Sequence, residues 1–369
     1  MCHEYLEADL SAGTSPSVPV AVEAALRDFF DSRRSLVDTV GGGYPATVAT
    51  LEAFVLRGGK RIRPAFAWTG WLGAGGDPGD PGAEAVLRSC AALELVQACA
   101  LVHDDIIDRS RTRRGFPTVH VEFADRHAAD GWAGDSTHYG ASVAILLGDL
   151  ALAWADDMVR ESGLPGDAAE RLAPVWSAMR TEVLGGQLLD IGDEARGADT
   201  VESAMRINRY KTAAYTIERP LHLGAAIAGA DETLIENYRR FGADVGIAFQ
   251  LRDDLLGVFG DPERTGKPSG DDLVSDKHTA LRAIALHRAD AADPALGARL
   301  RSYFGRRLDS DELGSARDLF VELGAVAEVE NSIDELLGSA LTALDVADIG
   351  DDIRAELIAV AHRVAHRQA

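Results

Sequence analysis

The residues best suited to chemistry in this chain are acids, set in pairs at the ends of apolar runs. In Leu101–Arg114, LVHDDIIDRSRTRR, the carboxylates Asp104, Asp105 and Asp108 close a long apolar stretch. Asp104 and Asp108 lie four apart and so share one face of a helix, with Asp105 about 100° round from Asp104. Gly115 and Pro117 end the helical pattern soon afterwards. Negative charge is thereby placed at a helix end where the macrodipole disfavours it. Stability does not select that arrangement, whereas a multivalent cation between the carboxylates accounts for it. A second acidic pair, Asp253 and Asp254 in FQLRDDLLGVFGD, closes another apolar segment. One such pair alone reads as a solvated helix end. Two of them, facing one another, require counter-cations. Oxygen-only ligands in this number suit Mg²⁺, which keeps waters and bridges to substrate phosphates.

The cations complement this reading. Lys60, Arg61 and Arg63 sit in a turn led by Gly58-Gly59, and Arg113 and Arg114 lie just beyond the first acidic motif. Lys211 falls in RYKTAAYT, Lys267 in TGKPSGDD and Lys277 in SDKHT. Arginine forks and lysine point charges both bind phosphate. Any one cluster alone reads as a solvated face. Their repeated pairing with glycine turns and acidic helix ends points to a diphosphate site.

The elements that must hold these groups are helices. Apolar residues recur at helical spacing over Val20–Asp38, and further helices are expected over Pro45–Leu56, Ala65–Leu72 and Ala83–Asp108. The last is apolar nearly all round, as a central core helix is. Residues 120–140 read as a polar, irregular loop. Helical segments follow at Val143–Glu161, Ala168–Leu189, Val201–Ala228, Glu232–Phe259 and His278–Ala289, and on toward the C-terminus. No apolar/polar alternation runs long enough for a sheet, so the fold class is all-α. Residues 1–18 read as a flexible tail and 19–369 as one domain.

Composition narrows the function classes. The chain has 369 residues, of which 46% are hydrophobic, and a formal net charge of −22. That charge repels nucleic acid and anionic membrane surfaces, so neither is an expected partner. The three cysteines, Cys2, Cys90 and Cys99, show no CxxC spacing, which argues against disulfides and zinc and fits a reducing cytoplasm. The N-terminus lacks the pattern of a signal peptide. No run approaches ~18 consecutive apolar residues, so no membrane insertion is expected.

Five motifs in order, GGKRIRP, HDDIIDRSRTRRGFPTVH, GGQLLD, YKTAAYT and FQLRDDLL, resemble those of the trans-type isoprenyl diphosphate synthases, over about residues 20–290. The resemblance implies a single large helical bundle of the isoprenoid synthase type with a central active-site cavity. It implies Mg²⁺, three ions per site, held by Asp104, Asp108 and Asp253 around an allylic diphosphate. Asp105 and Asp254 complete the two acidic motifs. Gln187, Arg113, Lys211 and Lys267 match positions around the allylic diphosphate, with Asp190 the carboxylate after Gln187, and Lys277 is a further substrate-binding candidate in a segment, VSDKHT, that lacks the more basic run of many relatives. Lys60, Arg63, Arg114 and Gln97 match the pocket for isopentenyl diphosphate, and Thr212 and Gln250 match groups that steady an allylic cation. A homodimer is also implied. His103 is read as a packing residue rather than a base. One departure stands out: the second motif reads DDLLG, with Gly257 where relatives carry its last aspartate and Asp261 a turn later.

The implied reaction needs no nucleophilic side chain. Departure of diphosphate is assisted electrostatically, the double bond of isopentenyl diphosphate attacks the allylic cation, and a proton is lost. Product length is read one turn upstream of Asp104, at Cys99 and Ala100, with Val96 at the next level. A helical turn rises about 5.4 Å, close to one extended isoprene unit. Small residues where farnesyl-forming relatives carry an aromatic imply a longer product, geranylgeranyl diphosphate. Trp154 is a candidate floor, although core packing suits it better. Farnesyl or longer polyprenyl products, a class I terpene cyclase and a non-catalytic synthase subunit are the alternatives. GGKRIRP argues against the cyclase, and the retained acids and lysines against the inactive subunit.

Overall fold

The computed structural model describes residues 17–113, 115–261 and 270–365. Helices α1 (Val18–Val40), α2 (Tyr44–Leu56), α3 (Ile62–Gly73) and α4 (Ala83–Ile107) occur where helical spacing predicts them. The predicted loop at 120–140 is instead two helices, α5 (Val119–Ala129) and α6 (Ser136–Arg160). The reason lies under the polar surface of the sequence. Val119, Phe123 and His127 recur every four residues and are all buried, giving α5 an inward stripe. The break is confined to Asp130–Asp135, where Gly131 and Gly134 take positive φ and the Asp135 side chain caps α6 by accepting from His138 N at 2.6 Å.

α7 (Gly166–Arg196) runs longer than expected, and α10 (Glu232–Phe259) has the predicted limits. Between them the expected single helix is interrupted. α8 (Val201–Ile207) passes into a π-helical stretch, Asn208–Glu218, before α9 (Arg219–Ala228) resumes. Further helices, among them Asp271–Val274, Ala280–Ala292, Ala325–Asp345 and Asp351–Ala365, cover the C-terminal side of α10. The only sheet among the described residues is a minimal antiparallel pair, Thr112–Arg113 with Phe116–Pro117, turned through Gly115 at φ 78°.

Two apolar clusters form the core. One gathers Leu26, Phe30, Leu51, Trp68, Leu93 and Trp154 on the N-terminal side, and the other Phe66, Tyr238, Phe241, Phe320 and Ile333 on the C-terminal side. α3 serves both through Phe66 and Trp68. It can approach α9 because Gly70 lies against the Leu221 carbonyl and Gly224 against the Ala67 carbonyl, so a Cβ at either would clash with backbone. Trp154 packs edge-on against Phe29 and Phe30, with centroids 6.1 and 5.9 Å away. Its place is in this core. α4 alone among the described helices is long and apolar enough to cross a membrane, yet it is mostly buried by its neighbours. It is the central helix of the N-terminal cluster. Cys90 and Cys99 are free thiols buried on it.

Candidate active site

The acids of the first motif emerge where α4 ends. Asp104 and Asp105 lie in its last turn and Asp108 is its C-cap. The three have different surroundings. Asp105 is buried at 1% exposure and receives both the Nε and Nη2 of Arg113, at 2.9 and 2.6 Å. Burial raises its pKa and Arg113 opposes the rise. Asp105 therefore orients Arg113 through a two-point fork. Asp104 instead has a buried Oδ1 that accepts no hydrogen bond. Its charge is faced by Lys211 Nζ at 3.4 Å and Arg113 Nη2 at 3.6 Å. Burial, then repulsion from Asp104, pushes the Asp108 carboxyl up to about 6. Two neighbouring acids, one with its carboxyl pushed up and the other with a buried oxygen that accepts no hydrogen bond, form a donor set that a divalent cation would relieve.

Lys211 reaches this wall from the π-helical stretch. Its Nζ donates to Asp190 Oδ2 at 2.5 Å as well as facing Asp104. Burial lowers its pKa, but Asp190 and Asp104 outweigh that and hold it above the ordinary lysine range. The close approach depends on Gly186 in GGQLLD, where a Cβ would meet the Lys211 backbone. Gln187, beside it, has a buried Nε2 without a partner.

The next residue ties in the second wall. Thr212 Oγ1 donates to Gln250 Oε1 at 3.2 Å, and Gln250 Nε2 donates to Asp254 Oδ1 at 2.9 Å. Asp254 Oδ2 accepts from Ala280 N at 3.2 Å. Burial pushes the Asp254 carboxyl up to about 7, against the pull of Lys277 and Gln250. Asp253, its neighbour, is buried at the same helix end. Consecutive residues of one π-helical stretch thus join the acids of α4 to those of α10. π-helical turns recur at functional sites, and this one offers a reason. It also carries Tyr215 and Thr216, whose partners lie elsewhere: Tyr215 OH donates to Gln97 Oε1 at 2.7 Å, and Thr216 Oγ1 accepts from Arg63 Nη2 at 3.0 Å. Arg63 also stacks on the Tyr215 ring, 4.1 Å from its centroid.

A pocket opens beside these residues, lined by Arg57, Gly58, Arg61, Glu94, Gln97, Leu101, Arg113 and Phe116. Of the residues expected around isopentenyl diphosphate, Gln97 lines it. Arg63 stands behind, and neither Arg63 nor Lys60 forms part of the wall. Arg114 and Lys267 lie outside the described residues. Lys277 belongs to the second wall, with Nζ 3.7 Å from Asp272.

Sequence reasoning did not single out Arg57 or Glu94, and gave Arg61 no role of its own. Arg61 and Glu94 form a buried ion pair at 2.6 Å, with side chains 3% and 9% exposed, and Arg61 takes a left-handed φ of 52°. The signal was available: Glu94 is a lone acid inside the apolar run of α4, and such an acid needs a cation. Arg57 covers the Phe116 ring at 4.5 Å. His103 rests its Nε2 3.1 Å from the Ile145 carbonyl, as a packing residue does. Val96 and Cys99, expected from the sequence to bear on chain length, are buried on α4, and Ala100 is partly exposed.

No group of three His, Cys, Asp or Glu side chains among the described residues converges closely enough to hold an ion alone. Mg²⁺ takes one or two carboxylates and completes its shell with water and substrate phosphate. Asp104, Asp108 and Asp253 offer oxygen donors only, and the Asp104 Oδ1 accepts no hydrogen bond, which is chemistry that fits such an ion.

Comparison with known proteins agrees with this geometry. A family model for polyprenyl synthetase matches residues 45–315. A geranylgeranyl pyrophosphate synthase from Corynebacterium glutamicum, solved with isoprenyl diphosphate and magnesium, superposes with a TM-score of 0.89 at 48% identity, over 95% of this chain and 99% of that one. A geranylfarnesyl diphosphate synthase from Aeropyrum pernix is 34% identical over 74% of this chain and 79% of its own length. A (2E,6E)-farnesyl diphosphate synthase from Mycobacterium bovis is 34% identical over 84% of this chain and 80% of its own. The chain belongs to the polyprenyl synthetase family and is a prenyltransferase of the all-α isoprenoid synthase fold.

Proposed function

We propose that this chain condenses isopentenyl diphosphate with an allylic diphosphate, head to tail, and that its product is geranylgeranyl diphosphate. The observation that carries the reading is the link between the two acidic walls: Lys211 on Asp104 and Asp190, and Thr212 on Gln250. The allylic diphosphate lies between Asp104, Asp108 and Asp253, with Arg113, Lys211, Gln187 and Lys277 around it. Magnesium ions, three per site, supply charge neutralisation of the leaving diphosphate when bound. Arg113 is held ready by Asp105, and Lys211 by Asp190, so neither has to be ordered when phosphate oxygens arrive. The Thr212 hydroxyl and Gln250 carbonyl, fixed from behind by Asp254, face the developing allylic cation. Isopentenyl diphosphate occupies the pocket beside Gln97, its diphosphate met by Arg57 and Arg61, which line that pocket. The double bond attacks, and the proton lost passes to the released diphosphate. Leu101, Ala98 and the apolar face of α4 keep water from the cation.

Chain growth follows α4 upstream past Ala100, Cys99 and Val96, with no aromatic at the first level. Residues 19–369 act as one unit in the cytoplasm. Exposed Ile145 and Leu146 on α6, and Leu184 and Leu188 on α7, provide apolar surface for a second copy in a homodimer. Replacing Asp104 by Ala tests the site: Mg²⁺-dependent consumption of isopentenyl diphosphate should disappear. Near wild-type turnover would remove Asp104 from the metal wall.

A further inference from the structure

A second cleft, of about 300 Å³, is lined by Arg171, Pro174 and Val175 of α7, Arg219, His222 and Ala226 of α9, and Ile235 of α10. α9 packs against both α7 and α10, and the spacing of 219, 222 and 226 puts one of its faces into the cleft. Arg171 precedes Gln187 by sixteen residues on α7, and Ile235 precedes Asp253 by eighteen on α10. Along either helix the cleft therefore lies about 24–27 Å from the diphosphate site. Its volume falls at the small end of ligand pockets, roughly 300–1,000 Å³.

The polar groups of this cleft are already fixed in place. Arg219 is nine-tenths buried and forks onto Glu182 through Nε and Nη2, at 2.8 and 2.5 Å. Its Nη1 lies 3.1 Å from His222 Nδ1. An arginine only donates, so Nδ1 is the acceptor and the neutral ring carries its proton on Nε2. Among the described residues no acceptor meets that Nε2–H. Burial, then Arg219 and Arg239, pushes His222 down to about 4, so at ordinary pH the ring is a neutral donor standing in a positive field. Arg171 donates to the Ala226 and Ile227 carbonyls, each at 2.9 Å, and to Asp167. Both guanidiniums keep N–H groups beyond these bonds. Pro174, Val175, Ala226 and Ile235 supply apolar wall beside them. Donors in a positive field select an anion, and apolar walls select a hydrocarbon.

We propose that this cleft is a second ligand site, separate from the diphosphate site, for an oxyanion that carries a short apolar tail. His222 and the spare N–H groups of Arg171 and Arg219 hold the head, and the apolar wall holds the tail. A phosphate and a carboxylate head share this chemistry.

The test is calorimetric titration of the full-length protein, in chelator, with hexyl phosphate, hexanoate, hexanol and inorganic phosphate. Hexyl phosphate or hexanoate should bind once per chain, the tighter of the two naming the head group. Hexanol and inorganic phosphate, each lacking one half of the ligand, should bind at least about tenfold more weakly. His222→Leu should weaken binding by about tenfold or more, the scale of a hydrogen bond to a charged group. His222→Gln, which keeps an acceptor for Arg219 and a donor for the ligand, should restore most of it. Ala230 also lines the cleft and is partly exposed, so Ala230→Phe should block binding by filling it, without touching the histidine. Thermal melts confirm that each variant is folded. Lys211→Ala, at the diphosphate site, should leave binding unchanged. Binding that survives both His222→Leu and Ala230→Phe would overturn the proposal, and its loss in Lys211→Ala would then place the probe at the diphosphate site. Failure of the wild type to bind either tailed anion would overturn it as well.

Discussion

Asp254→Asn removes a titrating acid from the interior and has a calculable effect on stability. Asp254 is 1% exposed, and burial pushes its carboxyl up to about 7, against about 3.9 in an unfolded chain. The folded pKa is the higher one, so between about pH 4 and 7 the folded state keeps a proton that the unfolded state has lost. Stability from this group is therefore greatest in acid, declines as pH rises and levels off above about 7. Linkage between these two values gives a loss of about 2–3 kcal/mol from pH 5 to pH 8. The asparagine variant cannot ionise and lacks that slope. Urea unfolding of both proteins at pH 5 and pH 8, in chelator and followed by circular dichroism, measures the difference. Neighbouring titrating groups, including Asp253, Asp272 and Lys277, are common to both proteins and largely cancel. Equal slopes in wild type and variant would refute the assignment of Asp254 as a buried acid that ionises within the working pH range. A functional cost accompanies the gain: both Asp254 oxygens accept from donors, Gln250 and Ala280 N. Asparagine must turn a donor toward one of them, loosening the Gln250–Thr212 pair and lowering kcat.

Other expectations follow from the same geometry. Glu94→Ala strands Arg61 in a buried site and should cost about 3–5 kcal/mol in urea unfolding, whereas pairing Glu94→Leu with Arg61→Met should recover much of it. Ala100→Phe should shorten the product as sized by chromatography, and an unchanged product distribution would remove α4 from chain-length control. Turnover should fall as pH drops through about 6, where Asp108 takes up a proton. That limb should move to lower pH as Mg²⁺ is raised, because the metal competes with the proton; a limb insensitive to Mg²⁺ would exclude Asp108 as its source.

The legible parts of the fold were those where hydrophobic period and helix punctuation agree. α10 could be bounded at Glu232 and Phe259 because Asp231 caps it and Gly260 closes it. α5 was missed because its inward stripe is spaced among His, Asp, Arg and Glu, so surface polarity hid a period of four. The π-helical stretch has no pattern that separates it from an α-helix. What it does, joining Asp104 to Gln250 through successive residues, emerges only in three dimensions. The acids, lysines and arginines proposed for the site could be picked out because chemistry restricts their types and spacing.

The central claim is prenyl transfer to geranylgeranyl diphosphate. Purified protein with Mg²⁺, labelled isopentenyl diphosphate and each allylic primer in turn, followed by dephosphorylation and sizing of the products, measures it directly. The account predicts label in a linear geranylgeranyl product, formed only with Mg²⁺ and an allylic primer. Release of a cyclic hydrocarbon without uptake of label, or no uptake under any of these conditions, would contradict it.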